Sequence, residues 1–270
     1  MTSSHFIKTF TRLTVVLVFA ITVLFACALV GTAQVHIPTK SPAVSSTAKP
    51  SVDKCVSGNC VNGHGKMVYA DGNTYEGAFV KKLPNGKGKL IYADGNLYVG
   101  SFLKGKFHGI GTFTIITGDV YTGQFVDGMT KGKGRSKYAN GDTYVGDFGD
   151  GKEGLGIYTF KDGSVFVGQY AKNLRNGKGK IRFADGDTYE GDWAEDQFNG
   201  QGTYTFADGE VYTGQFANNQ RNGKGRSTYT NGDFYDGGFI NGQRNGPGKL
   251  YIKASNTTQN GTWENGVLVQ

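Results

Sequence analysis

Through residues 63–266, apolar side chains alternate with polar ones in short runs that return at a fixed interval. The clearest run is Tyr75-Glu76-Gly77-Ala78-Phe79, an aromatic-x-Gly-x-aromatic pattern. It begins again at Tyr98, Tyr121, Tyr144, Phe166, Tyr189, Tyr212 and Tyr235, and a worn copy, Gln259-Asn260-Gly261-Thr262-Trp263, comes last. Successive copies lie 22 to 24 residues apart. A fixed period of this length marks an array built from one supersecondary unit.

Within a unit, Ala70-Asp71-Gly72 between two alternating segments is a hairpin signal. A two-residue Asp-Gly turn and a three-residue loop place opposite side chains differently, because a slip of one residue turns a strand over. Comparison of the copies decides between them. The columns of Met67 and Tyr69 are mostly apolar down the chain, whereas the column of Val68 is mostly Thr, Lys and Arg. Only the three-residue loop puts Met67, Tyr69, Tyr75 and Phe79 on one face. It pairs Met67 with Tyr75 and Gly65 with Gly77, and turns Lys66, Val68, Thr74, Glu76 and Ala78 toward water. The glycine row has two readings. It leaves room for rings to lie across the backbone, or it forms a floor for a ligand's backbone.

A lone two-stranded hairpin is not stable, so the units must stack. The expected fold is all-β: an elongated, twisted, single-layer antiparallel sheet of stacked hairpins whose aromatic face curls into a trough. Its lining would be Tyr75 with Phe79, Tyr98 with Phe102, Tyr121 with Phe125, Tyr144 with Phe148, Phe166 with Tyr170, Tyr189 with Trp193, Tyr212 with Phe216, and Tyr235 with Phe239. An exposed apolar surface of this kind marks an interaction site. That face, or a free sheet edge, is expected to take a protein partner or a second copy of the chain.

The amino terminus is of a different kind. Lys8 and Arg12 precede Leu13 to Val30, 18 residues without a charge. That length lies between a signal-peptide core and a spanning helix. Three readings stand: a signal cleaved after Ala33, a retained hydrophobic helix acting as anchor, and a lipoprotein signal at Cys27. Each places the remainder on the extracytoplasmic side, in the periplasm or at the cell surface of a bacterium. Residues 34–54, rich in Ser, Thr, Pro, Ala and Val, read as a disordered linker. The domain organisation is therefore 1–33, 34–54, and a repeat domain at 55–270. Cys55 and Cys60, just ahead of the first repeat, read as a disulfide in an exported chain.

Charge narrows the function. The net charge is +7, but beyond residue 53 the balance is only +4, from 25 basic and 21 acidic side chains. That is too even for a nucleic-acid surface. Basic residues do gather between the hairpins. Lys81, Lys82, Lys104, Lys106, Lys131, Lys172 and Arg175, followed by Arg221 and Arg244, read as loop residues. The first seven are candidate contacts to anionic lipid headgroups.

Catalytic patterns are missing from the sequence. There is no His-Glu-x-x-His, Gly-x-Ser-x-Gly or Gly-Lys-Ser/Thr, so neither an enzyme nor a small-molecule substrate is expected. Gly-Lys-Gly at 86–88, 132–134, 177–179 and 223–225 recurs without a following helix, unlike a phosphate loop. His64 and His108 occupy non-equivalent positions, and no metal or cofactor is expected. The Asp residues recur in the turns, where their side chains serve the backbone.

Tyr-x-Gly-x-Phe with Gly-x-Gly and Asp-Gly at this period, as in Tyr189-Glu190-Gly191-Asp192-Trp193 and Asn222-Gly223-Lys224-Gly225, resembles the MORN (membrane occupation and recognition nexus) repeat. The resemblance covers about 62–266, in about nine copies. Departures are Thr117-Gly118-Asp119 for Ala-Asp-Gly, Phe166 for Tyr, and Gln259 for the aromatic. The resemblance implies an all-β, non-enzymatic scaffold. Relatives hold proteins near membranes, mediate self-association, or accompany catalytic domains.

Overall fold

The computed structural model describes residues 52–270. The expected hydrophobic helix and nearly all of the expected linker lie outside them. The described residues form twenty strands of antiparallel sheet, from Lys54–Gly58 to Val267–Leu268, with one short 3-10 turn at Lys253–Ser255. Among them, no helix is long and apolar enough to cross a membrane. The chain divides into two compact units, one ending at Arg175 and one running from Asn176 to Gln270.

Each hairpin has the register that the column comparison predicts. In strands Gly63–Val68 and Thr74–Val80, Gly65 faces Gly77, Met67 faces Tyr75, and Gly63 faces Phe79. The loop has three residues. Tyr69 N donates to Asn73 O at 2.9 Å and Gly72 N to Tyr69 O at 3.0 Å. Gly72 closes the loop at φ 87°, a conformation that costs glycine nothing.

The joints between hairpins differ from simple loops. Strand Thr74–Val80 passes through Lys81 and Lys82 directly into strand Leu83–Ile91, with Val80 opposite Leu83. Both lysines have positive φ, 51° and 64°, as a primed two-residue hairpin turn requires. The same geometry recurs at Lys172-Asn173, Glu195-Asp196 and Asn218-Asn219. Beyond the turn the register shifts between Gly77 and Phe79. The extra residues lie around Gly86, whose φ of 84° carries the bulge. The two glycines of Gly-x-Gly thus do different work. The first bends the strand, and the second, Gly88, lies opposite Gly77. The one 22-residue copy is short at its joint, where Gly149 faces Gly151 with only Asp150 between.

Turn side chains stitch each hairpin to the next. Asn73 Oδ1 accepts from Ala93 N at 2.9 Å, Asn96 Oδ1 from Ile116 N at 2.9 Å, and Asp119 Oδ1 from Ala139 N at 2.7 Å. Asp142 receives Lys161 N in the same way, and in the second unit Asp187 receives Ala207 N and Asp233 receives Lys253 N. Spacing alone suggests that these acids belong to turns. The donor, one full repeat away, becomes visible only in three dimensions. At the amino-terminal end a disulfide joins Cys55 to Cys60, with Cα atoms 5.9 Å apart. It ties the following connection to strand Lys54–Gly58.

Candidate interaction surface

The aromatic face is built from one packing motif. The Tyr75 ring lies flat across the glycine pair behind it. A Cβ on Gly77 would sit 2.5 Å from the Tyr75 hydroxyl, and one on Gly88 would sit 2.5 Å from a ring carbon. The hydroxyl donates to Ala78 O at 2.9 Å, at the bulge. The ring meets Phe79 edge-on at 5.0 Å and Phe102 of the next copy at 4.9 Å. The motif repeats at Tyr98 with Phe102 and Phe125, and at Tyr121 with Phe125 and Phe148. In the second unit it recurs at Tyr189, Tyr212 and Tyr235, where Trp263 is the final ring.

On the ring face this packing accounts for the glycine row, which is roofed there by rings. It also places the sixteen side chains expected to line a trough. Tyr75, Phe79, Tyr98, Phe102, Tyr121, Phe125, Tyr144, Phe148, Phe166, Tyr170, Tyr189, Trp193, Tyr212, Phe216, Tyr235 and Phe239 are all between 0% and 8% exposed. They cover one another edge to face and form the interior of a sheet that has no second layer. Removing one hydroxyl tests the motif. Tyr98→Phe leaves the ring but not its 2.9 Å bond to Ser101 O. The expected loss is about 1 kcal/mol of stability by denaturant titration, with no change of fold.

A second row on this face was not evident from the sequence. Opposite Phe79, Phe102, Phe148, Trp193, Phe216 and Phe239 stand Pro84, Phe107, Lys152, Phe198, Arg221 and Arg244. Phe107 stacks on Tyr98 at 3.7 Å and Phe198 on Tyr189 at 3.8 Å. At the equivalent places a cation lies over the ring instead. Lys152 is 3% exposed, and its Nζ lies 5.1–5.8 Å from the ring centres of Tyr138, Tyr144, Tyr158 and Tyr170. Arg175 lies over Phe166, Arg221 over Tyr212 and Phe239, and Arg244 over Tyr235. Arg221 Nη2 also donates to Gly242 O at 2.9 Å, and Arg244 Nη2 to Gly266 O at 3.1 Å.

The expectation that Arg175, Arg221 and Arg244 are solvated loop residues is therefore corrected. They stand in strands, and Arg175 is only 5% exposed. Each joint ahead of them has only two residues, so the strand has already begun. The clue was available in the column itself. A position that holds Phe107 and Phe198 faces inward, whatever else occupies it. Replacing Lys152 with Ala is expected to cost roughly 3 kcal/mol through the void it leaves. Lys152→Phe, which copies Phe107, is expected to stay within about 1 kcal/mol of the parent. Parallel urea titrations compare the two.

The other basic candidates do reach solvent. Lys81, Lys82, Lys104 and Lys172 occupy positive-φ turn positions, and Lys106 and Lys131 stand in the strands beside such turns. All six are exposed. The face opposite the rings carries cross-strand pairs. Lys133 meets Asp147 at 2.7 Å in the first unit, and Lys178 meets Asp192 at 2.6 Å in the second. The hydrogen bond from Lys178 holds the Asp192 carboxyl below its ordinary range, against partial desolvation.

Comparison with known proteins agrees with this geometry. The family model described as the MORN repeat matches nine consecutive segments from residue 62 to residue 254. The chain belongs to the MORN repeat family. The first matched segment begins at residue 62, and the other eight begin at residues 75, 98, 121, 144, 166, 189, 212 and 235, each the first aromatic of a copy. No curated protein matches the chain. Among solved structures it is similar to the TCP domain of Drosophila melanogaster SAS-4 (dCPAP) in complex with a proline-rich motif of Ana2 (dSTIL). The identity is 15% and the TM-score 0.37, covering 77% of this chain and 97% of that one. It is also similar to the wild-type TCP10 domain of Danio rerio CPAP. There the identity is 11% and the TM-score 0.39, covering 78% of this chain and 94% of that one. Both TM-scores are too low for these likenesses to carry an argument about this MORN chain.

Proposed function

We propose that this MORN-repeat chain is a non-catalytic scaffold that binds a protein partner on its sheet. It would be exported and held at a membrane by its amino-terminal segment. The observation that carries the reading is a division of labour between the two faces. The rings, glycines and bulges repeat almost unchanged and are used up in packing. The outward positions, which packing does not constrain, change from copy to copy. A constant frame with a variable surface is what repeat proteins use for binding. With the sixteen aromatic side chains covered, the partner contact moves from those rings to the surface they support. Export and tethering are supported by the uncharged run Leu13 to Val30 and by the Cys55–Cys60 pair, which suits an oxidising compartment.

Crosslinking tests this in the native membrane. A photoreactive side chain is placed in turn at Val99, Val126, Val145 and Ile240 of the full chain, all of them outward and exposed. Discrete protein adducts from at least one position are expected. Lipid adducts alone, or none from any position, would refute the scaffold reading. Intact mass of the recovered chain reports whether residues 1–33 remain.

One observation favours a second reading, contact with anionic phospholipid headgroups. Lys81, Lys82 and Lys104 are exposed at successive turns of the first unit. Flotation of the full chain with phosphatidylglycerol vesicles should then be weakened by Lys81→Glu with Lys104→Glu, and by salt. Flotation indifferent to both would remove this reading.

A further inference from the structure

The outward face of the first unit has its own internal standard. Register places Lys66, Glu76, Lys89, Val99, Thr112, Thr122, Arg135, Val145, Ile157 and Val167 in one row across the strands. Cross-strand pairs satisfy most of such a row. Thr112 and Thr122 share a 3.0 Å hydroxyl bond, and Lys66 faces Glu76, and Glu76 Lys89, across the ladder. The equivalent row in the second unit holds the Lys180–Glu190 ion pair at 3.0 Å and the Thr203–Thr213 bond at 3.1 Å. The sheet therefore folds with polar residues here, and does so repeatedly.

Val145, Ile157 and Val167 break that rule. They are three aliphatic residues in succession, 48%, 45% and 50% exposed, joined by Leu155 at 62%. They rim a shallow cavity of about 300 Å³ floored by Gly146 and Gly156. Packing does not call for them, since Thr serves at the same positions elsewhere. Exposed apolar surface of this kind marks a binding site.

The neighbouring strand supplies the second observation. Met129–Lys137 turns Lys133, Arg135 and Lys137 to the same face. Lys133 is paired with Asp147, whereas Arg135 and Lys137 make no ion pair with any described residue. The patch is thus aliphatic around the cavity, of which only Lys133 and Gly134 of this strand form part of the wall, and cationic beside it at Arg135 and Lys137.

We propose that this face binds an extended segment of a partner protein that carries aliphatic side chains flanked by carboxylates. The aliphatic side chains seat over Gly146 and Gly156 among Val145, Leu155, Ile157 and Val167, and the carboxylates meet Arg135 and Lys137. A guanidinium matches a carboxylate in a two-pronged hydrogen bond, and this charge complementarity fixes the direction in which the segment lies. Concavity favours a peptide over a bilayer, whose surface would span the cavity without filling it. The proposal rests on the scaffold reading and gives that reading a place and a partner chemistry.

The test uses the full chain as bait for a phage-displayed library of random dodecamer peptides. Enrichment of peptides combining Leu, Ile or Val with Glu or Asp is expected. Synthetic copies of the enriched peptides are then titrated by fluorescence anisotropy. The triple variant Val145→Thr, Ile157→Thr, Val167→Thr restores the row found elsewhere, so it keeps the fold. It should weaken binding by at least about tenfold. Arg135→Glu should do the same and change the salt dependence from that of the parent, while Val99→Thr, outside the patch, changes nothing. No acidic-aliphatic enrichment, or peptides that bind the triple variant equally well, would overturn the proposal. So would vesicles of phosphatidylglycerol that bind the parent but not the triple variant, for they would show the patch to be a membrane face. Protein adducts at Val126 or Ile240 in the crosslinking experiment would leave the scaffold reading standing even then.

Discussion

Valine in place of Gly111 is expected to lose about 3 kcal/mol or more of stability, enough to unfold much of the first unit near physiological temperature. A Cβ at this position would lie 2.5 Å from the Tyr98 ring. The ring cannot swing away. Phe107 stacks on it at 3.7 Å, Phe102 and Phe125 meet it edge-on, and its hydroxyl is bonded to Ser101 O. The two further methyls of valine would have to enter the same space. Gly128 is the comparison. It has nothing within 4 Å of a would-be Cβ, and only its φ of 91° opposes a side chain. Gly128→Ala should cost about 1 kcal/mol. Denaturant midpoints of the two variants measure the difference. A Gly111→Val chain as stable as Gly128→Ala would mean that the rings do not lie on the glycines.

The second large effect is alkaline unfolding. Burial pushes the phenols of Tyr75, Tyr138 and Tyr212 up from 10.0 to about 12. Tyr98, Tyr121, Tyr144 and Tyr189 move further in the same direction, again chiefly by burial. Tyr158 is raised by burial and by its hydrogen bond to Asp142. The neutral form is favoured by folding, so the folded chain holds protons that the unfolded chain releases above pH 10. Stability is therefore complete below pH 10 and lost as pH rises through about 12, by roughly 2–3 kcal/mol for each such tyrosine. Several acting together should make unfolding abrupt. Phenolate absorbance and circular dichroism, followed together, are expected to change in one step. Tyrosines that ionise near pH 10 with the sheet intact would contradict the packing.

Much of this was legible in the sequence because the chain carries its own alignment. Nine copies of each position show which residues tolerate charge, and that fixed the three-residue loop and the pairing of Met67 with Tyr75. The burial of the aromatic face was harder to see. Alternation says which way Tyr75 points, but not that it lies down across Gly77 and Gly88 under its neighbours. The joints were missed because Lys81-Lys82 and Glu195-Asp196 lack the Asn-Gly signature of a primed turn; the twist of the strands imposes positive φ on them. Arg175, Arg221 and Arg244 were misplaced for a related reason. Charge argues for solvent, yet their column also holds Phe107 and Phe198. The aliphatic run at Val145, Ile157 and Val167 escaped notice because its members lie 10 to 12 residues apart and meet only across strands.

The hydrogen bonds from one turn to the next have a consequence for how such a protein changes length. Asn96 receives Ile116, and Asp119 receives Ala139, through chemically equivalent atoms. Excision of residues 98–120 would bring Asn96 against Ala139 with nothing left unpaired. Removal of half that stretch would strand an acceptor, expose Gly111 and set a ring over a side chain. The gene can therefore lengthen or shorten in whole periods by unequal exchange while the product still folds, whereas smaller changes are confined to the turns and joints, as in the 22-residue copy where Gly149 faces Gly151.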